Sequence, residues 1–150
     1  SFRGNLFENS EWMYKPSCAD IILSDNFEVS KMIAEKGNKW VFTAILDSKI
    51  FQSHAFLRDH LNNSKFIEFL KEYFVVFCTV ANFNQGKKLL NLYEPKNLPF
   101  IAIIDPKTGK VKLKLDPMVD LSSDFADMKS FISRRKTPEP NYNSKEEEED

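Results

Sequence analysis

Cysteine and glycine are both scarce in this sequence, and each scarcity removes a class of chemistry. The two cysteines, Cys18 and Cys78, lie far apart and neither has a second cysteine near it. They offer no redox pair and no secreted disulfide framework. Four glycines leave little from which to build a phosphate-cradling loop. Long apolar runs are missing too: the longest, 74–78 and 100–104, reach five residues, far short of a bilayer span. Charge of one sign is also absent, since 21 Lys and Arg meet 22 Asp and Glu for a net −1. That balance gives no field for nucleic acid and none for stable membrane insertion. No Ser-His-Asp set or paired-carboxylate site is visible. The start, Ser1-Phe2-Arg3-Gly4, has neither an initiator Met nor a signal-like block. It reads as a segment of a longer protein, and the ordinary thiol usage points to cytoplasm or nucleus.

Apolar material is plentiful and is carried by phenylalanine. Hydrophobic residues make up 42% of the 150, with 14 Phe. This suits one packed domain with a tail to spare. The last six residues hold five acids, so the remainder is mildly basic, about +3. We read 1–23 as an arm that packs on the domain, 24–135 as the domain, and 136–150 as a disordered acidic linker.

Within the domain, Ser24 and Asp25 offer caps for a helix over 26–36. Gly37 would be its left-handed terminator, and Val29, Met32 and Ile33 its apolar stripe. Residues 40–46 read as a strand buried on both faces. A loop over 47–52 leads to a helix over 53–61. Ser64 caps another helix, on which Phe66, Phe69, Leu70 and Tyr73 recur at helical spacing. Strand 74–80, a helix over 84–93 and strand 100–104 follow. The turn 105–110 then feeds the alternating edge strand 111–115, antiparallel to its predecessor. Leu121, Phe125, Met128 and Ile132 mark a closing helix. Buried strands joined by helices imply a largely parallel sheet covered on both faces. With its terminal hairpin and last helix, the fold class is α/β and thioredoxin-like: a central mixed sheet of about four to five strands.

Two stretches carry a family resemblance. Asn97-Leu98-Pro99-Phe100 through Asp105-Pro106-Lys107-Thr108-Gly109 is similar to the thioredoxin-like segment in which a cis-proline precedes the third core strand. Lys39-Trp40-Val41-Phe42 through Phe51, with Leu57-Arg58-Asp59, Phe66-Ile67 and Tyr73-Phe74, resembles the UAS domain of UBX-domain adaptors. The resemblance covers roughly 24–135. It implies a non-catalytic protein-interaction domain in a ubiquitin-system adaptor, one that links ubiquitylated clients to the valosin-containing AAA+ segregase. Partners would be ubiquitin-pathway proteins, reached through other domains of the parent, and no cofactor is implied. The alternatives are a UAS module sensing long-chain fatty acids, with Lys110, Lys112 and Lys114 as a basic patch, and a lone-thiol redox protein.

Aligned on Leu57-Arg58-Asp59, the two redox cysteine positions of thioredoxins fall on Ile50 and Ser53. No cysteine between Cys18 and Cys78 can replace them, so no thiol exchange can run there. The candidate binding groove is the emptied turn with the proline facing it: Phe51, Gln52, His54, Leu98 and Pro99. Phe51 either adds an apolar contact or turns inward, and His54 is taken as a surface polar group. The resemblance implies a cis Leu98-Pro99 bond. Cys78, inside an apolar run, reads as a small core hydrophobe. His54 and His60 lie on different faces without further ligands, so no metal site is expected. Arg58-Asp59 reads as a helix-end ion pair. The cluster Arg134-Arg135-Lys136 suits a helix C-terminus.

Overall fold

Seven consecutive buried residues, Trp40–Leu46, form the strand (β1) around which the domain is assembled. The computed structural model describes residues 6–7, 11–14, 21–118, 120–121 and 124–138; Cys18 and the acidic run lie outside them. Before β1 comes helix α1 (Phe27–Gly37), and after it α2 (Phe51–Asp59), α3 (Ser64–Tyr73) and β2 (Phe74–Val80). Then follow α4 (Asn84–Tyr93), β3 (Phe100–Ile104), β4 (Val111–Leu115) and α5 (Ala126–Arg134).

The sheet order is β2-β1-β3-β4. β1 runs parallel to β2, with Trp40 opposite Phe74 and Leu46 opposite Val80. It runs antiparallel to β3, where Ile45 faces Phe100. β3 and β4 form the expected antiparallel hairpin. The expectation of a largely parallel sheet fails, because only one of the three pairings is parallel. After α4, loop 94–99 returns the chain to the end of the sheet where β2 stopped, so β3 starts there and runs back. A buried apolar run reads the same in either direction, which is why sequence pattern could not settle this.

Two cores sandwich the sheet. Phe42, Ala44, Val76, Cys78, Ile101 and Ile103 face one side with residues of α2, α3 and α5. Val41, Ile45, Phe77, Phe100 and Ala102 face the other with Phe27 and Ala34 of α1 and Leu89 of α4. The N-terminal segment belongs to the first core: Leu6, Phe7 and Trp12 are buried in it, and Ile22 bridges to Val76. The indole Nε1 of buried Trp40 donates to the Arg135 carbonyl at 2.8 Å, fastening the end of α5.

Local capping differs from the sequence reading in three places. Asn26, not Ser24 or Asp25, caps α1: its side chain accepts from the Val29 N–H at 3.0 Å, while the Ser24 hydroxyl accepts from the Asn26 N–H one step earlier. Gly37 stays helical and Asn38 takes the left-handed position at φ 56°, a conformation asparagine tolerates. Asn63, not Ser64, caps α3 through Phe66 N–H. The stripe of α1 holds only at Ile33, which packs against the second core. Phe27, Ser30 and Ala34 are buried, whereas Val29 and Met32 are 41% and 56% exposed. Two small residues let α1 approach the sheet closely, and a count of apolar side chains cannot see that.

Candidate functional site

The turn after β1 is closed by its own polar atoms. Ile50 N–H donates to the Asp47 carbonyl at 3.0 Å and Lys49 N–H to the Asp47 carboxylate at 2.9 Å. The Ser53 hydroxyl accepts from the Asp47 N–H at 3.0 Å and is fully buried. This tight turn starts α2 at Phe51, two residues earlier than expected, with Ile50 in extended conformation at the cap. Ile50 and Ser53 therefore take structural places: a half-buried apolar cap and a hydroxyl that holds the turn shut.

Phe51 and Gln52 both project outward from the first turn of α2. Phe51 is 56% exposed, so it does not fill the space left by cysteines. Arg58, two turns on and on the same face, lies 5.9 Å from its ring centroid and 5.8 Å from that of Tyr14. Arg58 also grips Asp59 with two hydrogen bonds of 2.7 and 2.9 Å. Each holds the other charged, Arg58 above and Asp59 below its ordinary range. The helix-end ion pair is as expected.

His54 contradicts the reading of a surface polar group. It is 5% exposed, and the Trp12 ring lies 5.0 Å away. Its Nδ1 accepts from the Met13 N–H at 3.4 Å, so Nε2 carries the proton and donates to the Ser48 carbonyl at 2.6 Å. The imidazole pins the N-terminal segment to the turn. The Trp12-Met13-Tyr14 cluster was the available signal, but its docking place is a tertiary fact. His60 sits apart at the end of α2, between Phe56 and Phe66 at 5.7 and 5.9 Å. Burial pushes its pKa down, partly opposed by Asp59. Among the described residues no group of His, Cys, Asp or Glu could hold a metal ion. Cys78 is buried in β2 at 1% exposure.

The Leu98-Pro99 peptide bond is cis. It borders a cleft of about 970 Å³ that also meets Ile50, Gln52, Leu90 and Leu115. Three of the expected groove residues, Gln52, Leu98 and Pro99, thus come together. Phe51, Ser53 and His54 are not among the residues that line it. Sequence reading missed the opposite wall, the loop after β4. There the Asp120 carboxylate accepts from the Asp116 N–H at 2.7 Å and that of Asp116 from the Met118 N–H at 2.9 Å. Lys96 and Lys114 stand on the rim. The lining mixes apolar side chains with Gln52, Asn97 and four charged groups, and includes no cysteine.

No family model matches the chain. It is 24% identical over 120 residues to the plant UBX domain-containing protein 7 of Arabidopsis thaliana, covering 80% of this chain and 25% of that protein. It is 28% identical over 121 residues to the UBX domain-containing protein 7 homolog of Dictyostelium discoideum, covering 81% and 24%. To the UBX domain-containing protein 5 of Saccharomyces cerevisiae it is 29% identical over 126 residues, covering 79% and 25%. The chain thus spans about a quarter of the curated relatives it matches. Among solved structures, a thioredoxin from Thermus thermophilus superposes with a TM-score of 0.58 at 15% identity, over 73% of this chain and 82% of that one. A disulphide isomerase from Xylella fastidiosa does so at 0.58 and 16%, over 83% and 99%. The fold is thioredoxin-like. Among the described residues no helix is long and apolar enough to cross a membrane.

Proposed function

We propose that this thioredoxin-like domain, similar over four fifths of its length to UBX domain-containing proteins, is a non-catalytic protein-interaction module of a ubiquitin-system adaptor. In the parent protein it would help link ubiquitylated clients to the valosin-containing AAA+ segregase, with ubiquitin and ATPase contacts made elsewhere. The observation that carries this reading is the pairing of Ile50 and a buried, hydrogen-bonded Ser53 with an intact cleft beside Pro99. Redox chemistry needs an accessible thiolate. The helix start that would activate one here has an isoleucine cap, and the thiol of β2 is sealed in the core. What remains is a recognition surface of Gln52, Leu98 and Pro99.

Two measurements test it. The chain should not reduce insulin disulfides, and the double substitution Ile50→Cys, Ser53→Cys should introduce that activity if these are the redox positions. Affinity capture with the domain should lose partners on Gln52→Ala with Leu98→Ala. Catalytic insulin reduction by the unaltered chain, or partners indifferent to the cleft variant, would sink the respective half of the reading.

A further inference from the structure

The outer edge of the sheet, which meets the cleft at Lys114 and Leu115, has a pattern that the cleft reading does not use. β4 ends the sheet, and among the described residues no strand pairs with its outer side. Such an edge presents unpaired backbone N–H and C=O groups to any extended chain. On β4 and the turn before it, Lys110, Lys112 and Lys114 recur at every second residue, and all three are exposed. Strand alternation puts Lys112 and Lys114 on one face, while Leu115 turns to the first core and Leu113 packs against it. Among the described residues none of the three lysines takes part in an ion pair, and no acidic residue stands on the strand.

We propose that β4 accepts an extended acidic segment of a partner protein as a fifth strand. Main-chain hydrogen bonds to the open edge would supply affinity, and carboxylates at alternate positions would face Lys112 and Lys114 across the ladder. A second copy of this chain is the wrong occupant, because antiparallel pairing of two β4 strands brings lysine rows together. The same lysines that discourage self-pairing thereby select an acidic strand. Lys114 and Leu115 also line the cleft, so an added strand would run toward its rim.

The probe is a labelled synthetic peptide alternating Glu with Val and Thr, titrated against the whole chain. It should bind saturably, weaken as salt rises, and slow hydrogen exchange at β4 amides. Lys112→Glu with Lys114→Glu should weaken it about tenfold or more without lowering the melting temperature. Peptides N-methylated on alternate amides separate strand addition from charge attraction. Methylation of the pairing edge should abolish binding, and methylation of the other edge should leave it. Failure to bind, or equal binding by both methylated peptides, overturns the proposal. So does binding of the chain to phosphatidylserine vesicles with none to the peptide.

Discussion

Adding one methyl group at two glycines should move stability in opposite directions. Gly86 lies in the first turn of α4, buried against the end of β2. A Cβ there would overlap the Val80 carbonyl oxygen and stand 2.8 Å from its carbon and 3.2 Å from Ala81 Cα. Those atoms are backbone, and the turn is fastened by Ala81 N–H to Leu46 at 2.8 Å and Phe83 N–H to Val80 at 3.1 Å. Neither side can yield locally. The start of α4 must lift, and Leu89, 3% exposed on the next turn, must lift with it. Overpacking costs about 1–3 kcal/mol where side chains can adjust. Against immovable backbone we expect about 2–4 kcal/mol, even after alanine's helical advantage of about 1 kcal/mol over glycine. That corresponds to a melting temperature lower by roughly 5–15 °C for a domain of this size. Gly37, in the last turn of α1, is the control, because a Cβ there meets nothing within 4 Å. Gly37→Ala should stabilise by about 0.4–1 kcal/mol. Urea titration of both variants, followed by circular dichroism, decides it. If Gly86→Ala matches or exceeds the wild type, the close approach of α4 to β2 is wrong.

Further expectations concern buried polar groups and the arm. The Thr43 hydroxyl is buried and has no hydrogen-bond partner among the described residues, so Thr43→Val should stabilise by about 1 kcal/mol in the same titration. Because burial lowers the pKa of His60, the unfolded chain holds that proton more tightly. Its contribution is complete above the unfolded value of about 6.5 and is lost as pH falls through the lower folded value. His60→Gln should therefore flatten the decline in stability between neutral and acid pH, as read from denaturation midpoints. His54→Ala should free the Trp12 segment, red-shifting tryptophan emission and speeding proteolysis near the N-terminus, while β1 to β4 stay protected. Phe51→Ala, at a 56% exposed position, should change stability by less than about 0.5 kcal/mol in urea.

How far the site could be read in advance depended on the kind of evidence each residue required. Ile50 and Ser53 are assigned by aligning Leu57-Arg58-Asp59 on the thioredoxin-like resemblance, and what the fold adds is that they flank the start of α2. Leu98 and Pro99 were placed by the proline itself, directly before an apolar run. The error at His54 had a different origin. Its burial is produced by Trp12, more than forty residues earlier, and no local pattern encodes that contact. Likewise Asp116, Asp120 and Met118 form the far wall of the cleft only because β4 turns back beside β3.

The sequence by itself determined the order of elements, the buried strands and the absence of a usable thiol pair. Each of these follows from residue identity or from a periodicity within one element. Tertiary structure decided the direction of β3, the burial of His54 beneath the arm, and which face of α1 meets the sheet. It also decided that Gln52 and Pro99 share a cleft while Phe51 stands outside it. Those outcomes depend on which elements meet, through contacts between residues distant in the chain. Neither propensity nor hydrophobic pattern specifies that choice before the whole chain has packed.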